Sequence, residues 1–346
     1  MDAVEVEISP LPDPGSVSFH AKKQAAEWFA LLRSGEATDA DRVRWEAWLA
    51  GSEDHRRAWS YVERVSQRFA PIQTSPDPQT TADVLKTARG RLARRRQVLF
   101  GLAAFGGTGL LGWAAWRHPH LSILAEAWSA DHHTGIGQRR EVTLDDGTHV
   151  WLGPASAFNQ EFRPDLRRLH LVRGEIFIST ATDGSRPFVV DTRHGRLRAL
   201  GTRFNVRVED RWTTVSVYEG AVEVRCGREL TKVVVAGEQT RFDRQSIEET
   251  AGADLANEAW TRGTLIAQDM PLSRVMAELE RYRYGHLAVA PDVAALGVYG
   301  SFPLDDTDRA LAMLVAVLPI QVRSPLPWWS TIERDDRPRQ SVSSGP

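Results

Sequence analysis

VLFGLAAFGGTGLLGWAAW, Val98 to Trp116, runs for nineteen residues without a charge and follows directly on Arg94, Arg95 and Arg96. At 1.5 Å per residue, a helix of this length just spans the roughly 30 Å hydrocarbon layer of a bilayer. A buried helix of a soluble protein would rarely hold Gly101, Gly106, Gly107, Gly109 and Gly112, because glycine weakens helices in water and is commoner in membrane spans. The stretch therefore reads as a single transmembrane helix over 98–116, and it lies too deep in the chain for a cleaved export signal. Lys86, Arg89, Arg91 and Arg94 to Arg96 crowd its N-terminal side, whereas only Arg117 is basic in the twenty residues after Trp116. Basic flanks stay in the cytoplasm, so the expected topology keeps the N-terminus inside and exports everything from about residue 117. Arg95-Arg96-Gln97-Val98-Leu99-Phe100 also resembles a twin-arginine export motif, although orienting charge alone produces the same pattern.

Composition agrees with such a plan. The 346 residues leave room for two or three domains, and 25% charged with 42% hydrophobic residues is the content of folded protein. The net charge of −2 gives no general field for polyanions, so nucleic acid is not expected as a direct partner. A lone cysteine, Cys226, excludes an internal disulfide, and its place in Val222-Glu223-Val224-Arg225-Cys226 reads as a strand position.

Three helical patterns occupy residues 19–70. The first sets Ala25, Phe29 and Leu32 on one face and stops at Gly35. The second starts at the N-cap candidates Thr38 and Asp39, carries Trp45, Trp48 and Leu49 and ends at Gly51. The third, from about Ser52, aligns Ala58, Val62, Val65 and Phe69. A unit this small leaves apolar surface for a partner, and Trp28, Trp45, Trp48, Leu49 and Trp59 are its candidate anchors. Each tryptophan fits a place in the small core equally well. Residues 71–97 read as a linker with its basic flank. AAEWFALLRSGEATDADRVRWEAWLAGSEDHRRAW resembles the N-terminal domain of FecR-type regulators, the inner-membrane anti-sigma factors of cell-surface signalling, through Ala26, Trp28, Trp48-Leu49, His55 and Ala58.

Beyond the span, 117–137 reads as a linker and 138–250 as an all-β domain. Val142 to Leu144 and His149 to Leu152 flank Asp145-Asp146-Gly147-Thr148, a turn signal, and Phe204-Asn205-Val206-Arg207-Val208 alternates apolar with polar. VTLDDGTHVWL, LVRGEIFIS, RPFVV, ALGTRFNV and VSVYEGAVEV, in that order, closely resemble the FecR periplasmic domain. The resemblance implies a β-solenoid-like arrangement, which composition does not separate from a sandwich. Residues 260–334 read as α/β: a strand, an amphipathic helix with Leu272, Val275, Met276, Leu279 and Tyr282 in a stripe, two strands, a second helix from Asp306 to Pro319, and closing strands. This unit resembles the secretin/TonB short N-terminal fold, a docking module, and 335–346 reads as a disordered tail.

No enzyme or cofactor constellation stands out. His118, His120, His132 and His133 lack regular ligand spacing, so no metal is expected. One bond carries a chemical expectation: the Thr202 hydroxyl lies next to the Gly201 carbonyl, so an N-to-O acyl shift would turn the amide into a hydrolysable ester. Several FecR relatives cut themselves at a Gly-Thr bond in this motif; the alternative is that Gly201 only permits a close approach of strands.

The resemblance thus implies a single-pass regulator of the bacterial inner membrane with its C-terminal domains in the periplasm. It would bind an extracytoplasmic-function sigma factor and receive a signal from a TonB-dependent outer-membrane transducer, often in siderophore uptake, with release by an intramembrane protease. A membrane-tethered scaffold recognising envelope glycans is the alternative.

Overall fold

The second helix begins where a threonine and an aspartate exchange hydrogen bonds. Asp41 N–H donates to Thr38 Oγ1 at 3.2 Å, and Thr38 N–H donates to Asp41 Oδ2 at 2.9 Å. This reciprocal capping box satisfies two helix-end donors that would otherwise lack partners. The Thr38 hydroxyl and backbone N–H hold the Asp41 carboxyl down to about 2. Helix α2, Asp39–Gly51, follows α1, Phe19–Arg33, whose N-cap is Ser18. Helix α3, Glu53–Gln73, runs into the segment expected to be linker. The computed structural model describes residues 17–34, 37–73, 126–127, 129–227 and 230–335. The expected span 98–116, Arg94 to Arg96, Gly35 and residues 336–346 lie outside them. Among the described residues no helix is long and apolar enough to cross a membrane.

Ala21, Ala25, Ala26 and Phe29 of α1 are buried with Ala58, Val62 and Val65 of α3, the spacing of two apolar helix faces meeting. The small alanines let the helices approach closely. The cluster continues into Leu326, Trp328 and Trp329 near the far end of the chain.

The β domain is built around one long strand. The sequence suggests two strands divided by Arg173-Gly174; the structure has a single β5, Leu166–Ser179. Gly174 takes φ +84 there, and its Cα lies so close to Ser156 that a side chain at 174 would overlap it. The first half of β5 pairs with β4 (Ala157–Arg163) and, in parallel, with β6 (Phe188–Asp191). Its second half pairs with β3 (His149–Leu152) and β8 (Arg203–Val208). From β6 the pairing continues through β7 (Arg196–Ala199) and β10 (Ala221–Cys226) to β11 (Leu230–Val235). From β8 it continues through β9 (Thr213–Glu219) to β12 (Glu238–Phe242) and β13 (Ala251–Gly252). Leu169, Leu171, Val190, Leu197 and Val222 of one layer bury against Ile176, Ile178, Phe204, Val206 and Val215 of the other. The strands form one sheet folded on itself into two layers, and β5–β6 is the parallel exception among its antiparallel pairs.

The domain starts earlier than the expected linker 117–137 allows. His132–His133 form β1 against β4, and Ala127 and Ala130 bury against Ala157 and Val172. The expected hairpin is present as β2 (Arg140–Thr143) and β3, with Gly147 at φ +85.

After a 3-10 turn, Leu255–Arg262, the C-terminal unit runs β14 (Thr264–Pro271), α4 (Leu272–Glu280), β15 (His286–Val289), β16 (Gly297–Pro303), α5 (Thr307–Val317), β17 (Ile320–Leu326) and β18 (Trp329–Arg334). Leu272, Val275, Met276 and Leu279 are buried on α4, as their spacing requires, between the β14–β16 pair and the β15–β18–β17 sheet. Tyr282 lies beyond the helix end and is buried as well.

Candidate functional site

Two places hold the residues singled out in the sequence. In the helical unit, Trp45 packs on Trp59 with ring centroids 4.9 Å apart, and Trp59 packs on Phe29 at 5.7 Å. Phe29 in turn meets Trp328 edge-on at 5.7 Å. Trp45 and Trp59 therefore hold α1, α2 and α3 together. Trp48 stacks on His55 at 4.5 Å, its Nε1–H donates to Gln24 at 2.9 Å, and His55 Nδ1 lies 2.7 Å from the Trp48 carbonyl oxygen. Its indole is fixed in place while remaining half-exposed, as are Trp28 and Leu49. Lys23 pairs with Glu333 at 2.7 Å and Tyr61 meets Trp329 at 6.0 Å, so α1 and α3 sit on the sheet of the C-terminal unit.

The second place is the connection from β7 to β8. Gly201 has φ +74, a conformation that side chains resist. Thr202 is 4% exposed and its Oγ1 is buried without a hydrogen-bond partner. A buried hydroxyl left unpaired is costly, so this one requires explanation. Its backbone, by contrast, is fully engaged. Thr202 N–H donates to Thr180 Oγ1 at 2.9 Å, Thr180 Oγ1 donates to the Thr202 carbonyl at 3.1 Å, and Thr180 N–H reaches the same carbonyl at 3.1 Å. From the other side Gly220, φ +75, approaches so closely that a Cβ there would overlap the Gly201 carbonyl oxygen and lie 2.9 Å from Thr202 Cγ2. The pairing of β8 with β9 shifts register between Arg203 and Phe204, immediately beyond the junction.

Residues 130–223, covering most of this two-layer domain, match the family model described as FecR protein. That stretch of the chain is of the FecR type. Residues 23–65, the helical unit, match a second model, described as a domain of unknown function, DUF4880. Two crystal structures of a candidate anti-sigma factor from Parabacteroides distasonis, at 1.65 and 2.50 Å, are each 27% identical to the chain. Each match covers 59% of this chain and 98% or 97% of the other, with TM-scores of 0.50 and 0.49. No curated protein matches.

The FecR domain is joined to the C-terminal unit by a buried ionic network that the sequence does not announce. Arg281, after α4, pairs with Glu175 of β5 at 2.6 Å and with Glu278 at 2.9 Å. Glu278 also takes Arg207 of β8 at 2.6 Å, and Asn205 Nδ2–H donates to Glu175 at 2.8 Å. Burial works to raise the Glu278 carboxyl, but Arg281 and Arg207 outweigh it and bring it down to about 2. Burial works against the Arg281 charge, and Glu175 with Glu278 reverse that and raise it. Arg203 pairs with Glu258, and Arg139 with Asp305 at 2.7 Å, across the same boundary. Only the i,i+3 pair Glu278–Arg281 carries a local signal; its partners are about seventy to a hundred positions upstream.

Among the described residues no cluster of His, Cys, Asp and Glu is arranged to hold a metal ion. His132 packs on Phe158 at 4.7 Å as a strand residue. Cys226 is buried in β10, where burial pushes its thiol up and makes it a poorer nucleophile.

Proposed function

We propose that the chain is an anti-sigma regulator whose helical unit binds a sigma factor of the extracytoplasmic-function type. The observation that carries this reading is the order of parts: a DUF4880 helical unit, an uncharged stretch behind three arginines, then a FecR domain. The description of the Parabacteroides protein as a candidate anti-sigma factor supports it. In this reading Val98 to Trp116 anchors the chain in the bacterial inner membrane with the helical unit inside. A TonB-dependent transducer loaded with its substrate, a ferric siderophore in many such systems, signals to the FecR domain and the secretin/TonB-like C-terminal unit. Intramembrane proteolysis then frees the helical unit with its sigma factor, and Gly106, Gly107 and Gly109 ease unwinding of the span.

Trp48 and Leu49 are the proposed anchors: Trp45, Trp48, Leu49 and Trp59 are all half-buried, but the Trp45 and Trp59 rings are spent on each other. The test is co-purification of the detergent-solubilised chain with candidate sigma factors. Trp48→Ala with Leu49→Ala should weaken capture, with a loss of about 2 kcal/mol for each anchor. Full capture by the folded double variant refutes these anchors, and failure of every sigma factor to co-purify refutes the function.

The FecR domain also cuts its own Gly201–Thr202 bond in this proposal. Support comes from the buried, unpaired Thr202 hydroxyl beside a glycine held at positive φ. The Thr202 oxygen bonds to the Gly201 carbonyl carbon, the C–N bond breaks, and the hydroxyl proton ends on the freed amine. Water then hydrolyses the ester, leaving the Gly201 carboxylate and restoring the Thr202 hydroxyl. The β5–β8 and β7–β10 pairings join the two pieces after the cut.

A further inference from the structure

We infer that Thr180 holds the departing nitrogen of this cut; the inference rests on the self-cleavage reading and assigns a second residue to it. Ser179 of β5 faces Arg203 of β8 as the end pair of their ladder, and Thr180 faces Thr202 one step beyond. The Thr180 N–H bond to the Thr202 carbonyl extends the ladder by itself. The hydroxyl does something a ladder does not need: it bridges the N–H and the C=O of one and the same residue, at 2.9 and 3.1 Å. That residue supplies both the nitrogen that must leave and the oxygen that must attack.

The consequence for the reaction follows from charge. Before the shift, Thr180 Oγ1 accepts from a neutral amide. After it, Thr202 carries a free α-amine with an ordinary pKa of about 8, which is protonated at neutral pH. A hydrogen bond from an ammonium is about twice as strong as one from an amide, so the contact with Thr180 strengthens as the C–N bond breaks. Interactions that strengthen along the reaction are the ones that accelerate it. With its backbone pinned by Thr180 and by the close approach of Gly220, Thr202 keeps its own hydroxyl unengaged. The attacking oxygen and the leaving nitrogen are thereby held while the peptide group turns out of plane.

The test follows the full chain in detergent on a denaturing gel, with and without hydroxylamine, which cleaves esters. Wild-type protein should yield a piece beginning at Thr202, and Thr202→Ala should yield none. Thr180→Val, which keeps the shape and the backbone bond but removes the hydroxyl, should slow spontaneous and hydroxylamine-driven cutting by about tenfold or more, whereas Thr180→Ser should cut at close to the wild-type rate. Melting curves of Thr202→Ala with and without Thr180→Val check that the uncut fold persists, and Thr180→Ala replaces the valine if it does not. A wild-type rate in the folded Thr180→Val protein overturns the role of Thr180 and leaves self-cleavage standing. Equal slowing in Thr180→Ser also overturns it, because the hydroxyl would then not be the active feature. A wild-type chain that stays whole even with hydroxylamine overturns the cleavage reading itself.

Discussion

Replacing Arg281 by methionine tests whether the ionic network is what joins the FecR domain to the C-terminal unit. Methionine keeps most of the stem volume and removes the guanidinium. Glu278 would retain Arg207 at 2.6 Å, but Glu175 would keep only the amide of Asn205 at 2.8 Å. The side chain of Glu175 is 7% exposed, so water cannot replace the lost partner. Removing one member of a buried pair costs about 3–5 kcal/mol, because the remaining charge stays desolvated, and Arg281→Met should fall in that range at neutral pH. Adding Glu175→Gln removes the stranded charge and should recover at least half of the loss, which a double-mutant cycle reads as a coupling of about 1–3 kcal/mol. Urea titration gives the free energies, and hydrogen exchange places the loss. Protection should fall first in Leu272–Glu280 and Arg203–Val208, the two segments that the network ties together. A loss below about 1 kcal/mol, or additivity with Glu175→Gln, would refute the reasoning.

Acid should weaken the same boundary. Glu278 is held near 2 in the folded protein against an ordinary value of 4.5, so it binds its proton more readily when unfolded. The stabilisation it confers is complete above about pH 4.5 and disappears as the pH falls towards 2, and Glu278→Gln should lack that part of the pH dependence in urea midpoints measured at pH 6, 4 and 3. Gly220→Ala should lower the melting temperature and change cutting at Gly201–Thr202 together, because the added methyl would strain a φ of +75 and press on the Gly201 carbonyl. Unchanged melting would show that the β9–β10 turn gives way without cost.

What the sequence disclosed follows from how local each signal is. The three N-terminal helices and α4 are legible because their apolar residues repeat at three and four, while Thr38 and Asp306 mark the starts of α2 and α5 and Gly147 the β2–β3 turn, as composition suggests. Strand β4 was missed because AFNQEFR buries little beyond Ala157 and Phe158 and lacks the β-branched run that signals a strand. The sequence divides β5 in two because Gly174 looks like a break, when it is the point where the sheet folds against Ser156. At the junction, Thr202 was legible beside Gly201, but Thr180 was not, since strand pairing alone brings it there from twenty-two residues away. The ionic network was invisible for the same reason, its members being scattered over β5, β8 and α4 with its flank.

The seat of the first helix on the last strands has a consequence for the life history of the chain. Lys23 and Glu333 lie 2.7 Å apart, and Phe29 touches Trp328. A bilayer with a core of about 30 Å between them would forbid both contacts. If Val98 to Trp116 crosses a membrane, the seated and the spanning forms are alternative states of one polypeptide. Passage from one to the other then uncovers Phe29 and Tyr61 on one side and Trp328 and Trp329 on the other in a single event. Each newly bared aromatic face would meet only the partners of its own compartment.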